Sequence, residues 1–237
     1  MHIGILQTGA APDALRPDHG DYPDAFARLL AGEGFRFTTW RVEEMAFPSG
    51  VGAADGWLIT GSRHGAYEDH AFIPPLEAFI REALAAGVPV VGICFGHQIM
   101  AQAMGGRVAR HGGGWSVGPT RYDFGGETLT LNAWHRDQVV AAPPGAEVIA
   151  KNDFCAVAGL AYGQTGLSVQ AHPEFTNAFV KGLMATRGPG LVPDNLMAAA
   201  RARMAVAPDS PTLARRIGDF FRAAHARRAP VPEAAHG

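Results

Sequence analysis

From Val88 to Ile93 the chain is a short apolar run, and from His97 onward its apolar residues fall at helical spacing. A buried strand must therefore reverse into a helix within a few residues, around Cys94. Gly92 and Gly96 stand two residues to either side of this cysteine. With no side chains there, the backbone can turn sharply and adopt angles that are strained for other residues.

Such a turn is the cysteine counterpart of the Gly-x-Ser-x-Gly nucleophile elbow. It lifts the thiol clear of the sheet, while the free N–H groups and positive dipole of the helix start favour the thiolate and can stabilise an oxyanion. A packed structural cysteine at a strand end is the competing reading, because free cysteine is among the most buried residue types. A nucleophile also needs a base. Alternation makes 167–171 a strand with His172 at its end, where side chains of an α/β sheet reach the ligand-binding edge. Pro173 biases His172 toward extended backbone, and two residues on in extended chain Glu174 points the same way. Glu174 can then hold the imidazole from its far side and support the imidazolium. Alone, His-Pro-Glu reads as a solvated loop triplet; paired with the elbow it completes a triad of Cys94, His172 and Glu174.

Gly92-Ile93-Cys94-Phe95-Gly96-His97-Gln98 followed by Gln170-Ala171-His172-Pro173-Glu174 closely resembles the class I glutamine amidotransferase family, in particular the glutaminase domain of GMP synthase. The similarity in element order runs from about Met1 to about Arg187. It implies that Cys94 attacks a glutamine side-chain carbonyl to give a gamma-glutamyl thioester, with His172 protonating the leaving nitrogen and then activating water. It implies an oxyanion hole from the N–H groups of Ser62 and Phe95, with Gly61 supporting the turn. A substrate pocket would include Gln98 and the segment around Trp134 and His135. None of these steps calls for a metal or an organic cofactor. The chain departs from the family where a second glycine and a proline are usual: it has Ser62 and Arg63. Thr60-Gly61-Ser62 looks more like the variant turn of gamma-glutamyl peptidases. Trp134 replaces a usual small or polar residue, and His135 lacks the His-x-Glu arrangement of a base.

Around this stretch, His2 to Gln7 reads as a first, central strand, Tyr22 to Ala31 as a helix and Phe35 to Val42 as a second strand. That order predicts an α/β fold: a mostly parallel, doubly wound sheet with helices on both faces. The polar loop from Thr8 to Asp21 is placed to border a site. Tyr67-Glu68-Asp69 reads as solvated surface. Glycine-broken strands over 106–131 predict an inserted antiparallel hairpin, and 147–157 a further one. Cys155, in the run Phe154 to Val157, reads as a packed strand residue, not a disulfide partner that would inactivate Cys94. The amidotransferase-like domain is expected over 1–187, its closing helix running from Phe175 to Arg187. Residues 188–237 form a helical extension, with helices over 195–206 and 212–228 and a disordered end from Ala229. The arginines of this tail, Arg201 to Arg228, read first as a solvated helix face and second as a subunit or partner contact, which leaves a homo-oligomer open.

A net charge of −2 leaves no basic excess to suggest nucleic acid. No stretch of eighteen apolar residues and no leader pattern occurs, so no membrane contact is expected and the cytoplasm is the expected location. Three functional readings remain open. The chain could supply ammonia to a separate ATP-dependent synthetase, hydrolyse gamma-glutamyl amides or peptides by itself, or serve as a non-catalytic binding protein on the same fold.

Overall fold

A computed structural model describes residues 1–228 of the chain. The elements run β1 (His2–Gln7), α1 (Arg16–His19), α2 (Tyr22–Leu29), β2 (Arg36–Arg41), β3 (Gly56–Ile59), α3 (Ile73–Ala85), β4 (Val90–Ile93) and α4 (Phe95–Ala103). Six short strands follow: β5 (Arg107–Arg110), β6 (Ser116–Phe124), β7 (Glu127–His135), β8 (Asp137–Ala141), β9 (Glu147–Ala150) and β10 (Gly159–Tyr162). The chain continues through β11 (Gly166–Val169), α5 (Asn177–Thr186), α6 (Asp194–Arg203) and α7 (Ser210–Arg227). Residues 229–237, for which disorder is expected, lie outside the described residues.

Seven strands form one sheet in the order β2-β1-β3-β4-β11-β10-β9. The pairs from β2 to β11 are parallel, and β10 and β9 add antiparallel at one edge. The predicted α/β architecture is the one observed, with one correction: β1 is second from an edge, and β4 is the middle strand. The chain goes from β1 outward to β2 and then returns across β1 to place β3 and β4, so that order in sequence is not order in space. The crevice of such a reversal is where open α/β sheets bind ligands.

Alternation along the strands loads both faces. Leu6, Trp57, Ile59 and Val90 pack beneath Leu76, Phe79 and Ile80 of α3 and Ile99 and Met100 of α4. Ile3, Ile5, Leu58, Val91 and Ile93 point the other way, toward Phe26 of α2, the β6–β7 hairpin and Leu213, Ile217 and Phe221 of α7. Local signals start the helices where they are needed. Asp21 and Asp24 form a reciprocal capping box at α2, and Thr176 caps α5.

The hairpin insertion is present, with nine paired residues in each of β6 and β7 around Gly125-Gly126. β5, however, pairs with β8. The second hairpin joins β9 to β10, and Cys155 is buried in the loop between them, not in a strand. Its N–H donates to Asn152 Oδ1 at 2.7 Å, a side-chain turn that the apolar run conceals. Burial pushes the Cys155 thiol up to about 12, which makes it a poor nucleophile.

The helices beyond Arg187 share the cores of the rest. Ala200 of α6 packs in a cluster with Phe179 and Leu183 of α5, and Phe221 of α7 is fully buried against the sheet. Several tail arginines stay on the surface yet reach the rest of the chain: Arg203 donates to the carbonyls of Pro119 and Val117, and Arg216 and Arg222 pair with Glu127 and Glu33. Among the described residues no helix is long and apolar enough to cross a membrane.

Truncating a fully buried phenylalanine costs about 3–5 kcal/mol. Phe221→Ala should therefore lower the unfolding free energy by that amount in urea denaturation. A loss below about 0.5 kcal/mol, the scale of surface changes, would mean that α7 is an appendage.

Candidate active site

Cys94 lies between the middle strand and α4 with φ 55° and ψ −101°. Among the described residues only Met45 shares a positive φ without being glycine. Holding such a backbone costs on the order of 1–3 kcal/mol, and hydrogen bonds fix it on both sides. The Cys94 N–H donates to Val169 O at 2.9 Å, and its carbonyl accepts from Gln98 N–H at 3.0 Å. Of the two purposes read for the flanking glycines in the sequence, removal of bulk and tolerance of strain, they serve the first. Neither has a positive φ; a Cβ at Gly92 would collide with the Gly96 carbonyl, and one at Gly96 with the Ile59 carbonyl. They provide room, and the cysteine carries the strain. The helix starts at Phe95, ahead of the apolar periodicity, because Phe95 to Ala101 are buried on every side and no polar face marks the first turn.

His172 follows β11 by three residues. Its N–H donates to Asn132 O at 2.8 Å, tying it to the hairpin insertion. Nδ1 lies 2.7 Å from Glu174 Oε1, and both side chains are almost fully buried. The Phe175 ring stacks flat on the imidazole, with centroids 3.9 Å apart and planes within 4°. Asn132 Nδ2 closes the turn by donating to Phe175 O at 2.8 Å. Cys94 and His172 meet across Gly61: a Cβ there would stand 3.1 Å from His172 Cε1 and 3.8 Å from Cys94 Cβ. Burial opposes the charge on His172, but the negative charges of Cys94 and Glu174 outweigh it and push the imidazole up to about 10.

A second layer orients the thiol. Gln170 Nε2 donates to Cys94 Sγ at 3.6 Å, and Gln98 Nε2 donates to Gln170 Oε1 at 3.1 Å and to Asp137 O at 2.9 Å. Gln98 thus faces the site with its amide nitrogen already engaged. The Ser62 and Phe95 amides donate to no protein acceptor among the described residues, which leaves both N–H groups open to an incoming oxygen. Thr8 Oγ1 donates to Gly61 O at 3.1 Å and joins the loops after β1 and β3.

A cavity of about 250 Å³ opens above Cys94, and Ser62, Gln98, Trp134 and His135 line it. His135 is buried; burial and the charge on His172 push it down to about 3, so it is neutral. Arg63, Arg110, Arg136 and Arg187 also line the cavity, against the carboxylates of Glu68 and Asp137. Arg110 reaches Asp137 at 4.0 Å, whereas Arg63, Arg136 and Arg187 enter no ion pair among the described residues. Sequence reasoning missed these arginines, which are scattered along the chain, and also Asn132, Gln170 and Phe175. Gln170 could have been found, since it shares the parity of His172 in extended chain.

The model of the class-I glutamine amidotransferases matches residues 26–181. The chain belongs to this family. As a member of a catalytic family, it is an enzyme. Gamma-glutamyl peptidase 4 of Arabidopsis thaliana is 32% identical over 185 residues, covering 70% of this chain and 73% of the peptidase. A GMP synthase of Bordetella parapertussis is also 32% identical, over 221 residues, covering 82% of this chain but 37% of the synthase. The crystal structure of a glutamine amido transferase from Methylobacillus flagellatus superposes with a TM-score of 0.72 at 22% identity, covering 100% of this chain and 98% of the other. That likeness shows the fold.

The raised pKa of His172 fixes the sign of a pH effect. Its charged form contributes stability that is full below its ordinary value of 6.5 and is lost as pH rises toward about 10. In an NMR titration the His172 ring should remain protonated at pH 8, and Cys94→Ala or Glu174→Gln should each lower its pKa. Titration near the ordinary value in the unmodified protein would contradict the charge arrangement.

Proposed function

We propose that this enzyme hydrolyses gamma-glutamyl amide bonds through a thioester on Cys94. The observation that carries this reading is that Cys94 opens onto the cavity beside Ser62 while the buried His172–Glu174 pair approaches it across Gly61, with the Ser62 and Phe95 amides uncommitted. Cys94 Sγ attacks the gamma-carbonyl carbon, and the Ser62 and Phe95 N–H groups hold the oxygen as it gains charge. The tetrahedral intermediate collapses as His172 gives its proton to the leaving nitrogen, which departs as an amine. Water then enters; His172 takes its proton, the thioester breaks, and glutamate leaves with the thiolate restored. Glu174 keeps the imidazole in one tautomer and does not take the proton.

The lining of the cavity supports a gamma-glutamyl peptide as the substrate. Four arginines against two carboxylates leave the mouth positive. A gamma-glutamyl peptide carries one more carboxylate than glutamine, on the leaving side of the bond, and a cationic mouth attracts that charge. The likeness to the gamma-glutamyl peptidase over 70% of the chain points the same way. The second reading, a glutaminase passing ammonia to a synthetase partner, draws on the likeness to GMP synthase.

In a glutamate-release assay Cys94→Ala should abolish turnover, and His172→Ala should lower kcat by at least about 100-fold, the scale of general acid–base catalysis. Glu174→Ala should retain partial activity, and His135→Ala should raise KM more than it lowers kcat. Equal loss of kcat from His135→Ala and His172→Ala would mean that the base is misassigned.

A gamma-glutamyl dipeptide should be cleaved with a higher kcat/KM than L-glutamine. The preference should narrow in Arg63→Gln and Arg187→Gln and with rising salt. Preference for glutamine, or silence on both substrates, would favour the synthetase reading.

A further inference from the structure

A second group of ligating side chains stands at the rim of this cavity and has no part in the chemistry above. His64, Glu68 and His70 lie on the loop between β3 and α3, and one ligating atom from each falls within 4.8 Å of the other two. Glu68 Oε2 is 2.9 Å from His70 Nε2 and 3.7 Å from His64 Nδ1. Ligand atoms about 2.0–2.2 Å from a tetrahedral ion stand roughly 3.3–3.6 Å apart. These two separations bracket that edge, and the two imidazole nitrogens lie within 4.8 Å of each other, so side-chain rotations can bring all three atoms onto one ion.

The loop brings these residues together from a His-x-x-x-Glu-x-His spacing. Glu68 N–H donates to Gly65 O at 3.0 Å, and His70 N–H donates to Glu68 O at 3.1 Å. Tyr67 Oη donates to Asp137 Oδ2 at 3.0 Å, anchoring the loop across the mouth. Phe72 packs beside both imidazoles, with its ring centroid 6.1 Å from His64 and 5.9 Å from His70. All three ligating side chains keep solvent contact, which gives an ion a path of approach.

We propose that His64, Glu68 and His70 form a three-ligand site for a divalent first-row transition ion such as zinc. Two imidazoles with one carboxylate suit zinc, nickel or copper better than magnesium or calcium, which take oxygen ligands. His64 and Glu68 line the cavity above Cys94 and His70 does not, so the ion sits at the rim with positions left for water or a substrate carboxylate. His64 is also tied to the oxyanion turn, its N–H donating to Ser62 Oγ at 3.2 Å. An ion here adds positive charge beside the turn that carries Ser62.

The test is zinc binding by isothermal titration calorimetry in Cys94→Ala protein, where the thiolate cannot compete, with the absorption spectrum of added cobalt(II) as a second readout. One equivalent of zinc should bind, and cobalt should show ligand-field bands without thiolate charge transfer. Loss of an outer partner of a metal site typically costs 10–100-fold in affinity. His70→Ala and the milder Glu68→Gln, each added to Cys94→Ala, should therefore weaken zinc binding at least about tenfold. Equal affinity with and without these substitutions, a thiolate band from Cys155, or no saturable binding would overturn the site. Because neither readout requires turnover, this result is independent of the proposed reaction.

Discussion

The Cys94 backbone is held where an L-residue does not rest, and much of the molecule is arranged to keep it there. The strain, on the order of 1–3 kcal/mol, is opposed by hydrogen bonds to Val169 and Gln98 on its two sides. It is also opposed by the packing of α4 against β3 and β4, which is possible only because Gly92 and Gly96 let the backbones approach. The middle strand of the sheet therefore carries the proposed nucleophile, and β3 and β11 on either side lead to Gly61 and His172. Gly61 follows β3 and His172 follows β11, so the distance between thiol and imidazole is set by strand spacing rather than by flexible loops.

The hairpin insertion has a corresponding role for His172, the proposed base. Asn132 in β7 accepts the His172 N–H and bonds the Phe175 carbonyl, locking the turn that aligns Glu174 and stacks Phe175 on the imidazole. Burial alone would keep His172 neutral; negative charge on two sides reverses that balance. His135, equally buried but without a carboxylate partner, goes the other way. Two buried histidines close enough to feel each other's charge are thus driven to opposite charge states by their neighbours.

The sequence made the elbow, the succession of strand, helix and strand and the His-x-Glu turn legible because each is local: a few residues of pattern and backbone geometry determine the outcome. What escaped it depends on partners far along the chain. The outward placement of β2, which moves β1 off centre, follows from packing of the whole sheet. Cys155 sits in an apolar run that reads as a strand, yet a side-chain turn from Asn152 takes it out of the ladder. Arg63, Arg110, Arg136 and Arg187 come from four separate segments, and only folding makes them one cationic mouth. Glu68, which reads as solvated surface, shares its carboxylate oxygen with two histidines.

A covalent gamma-glutamyl group on Cys94 can be trapped and weighed. Protein mixed with a gamma-glutamyl dipeptide, quenched in acid within one turnover and digested, should yield the Cys94 peptide heavier by one gamma-glutamyl group, with the adduct released by hydroxylamine. An unmodified Cys94 peptide under turnover conditions, or an adduct on Cys155, would contradict the account.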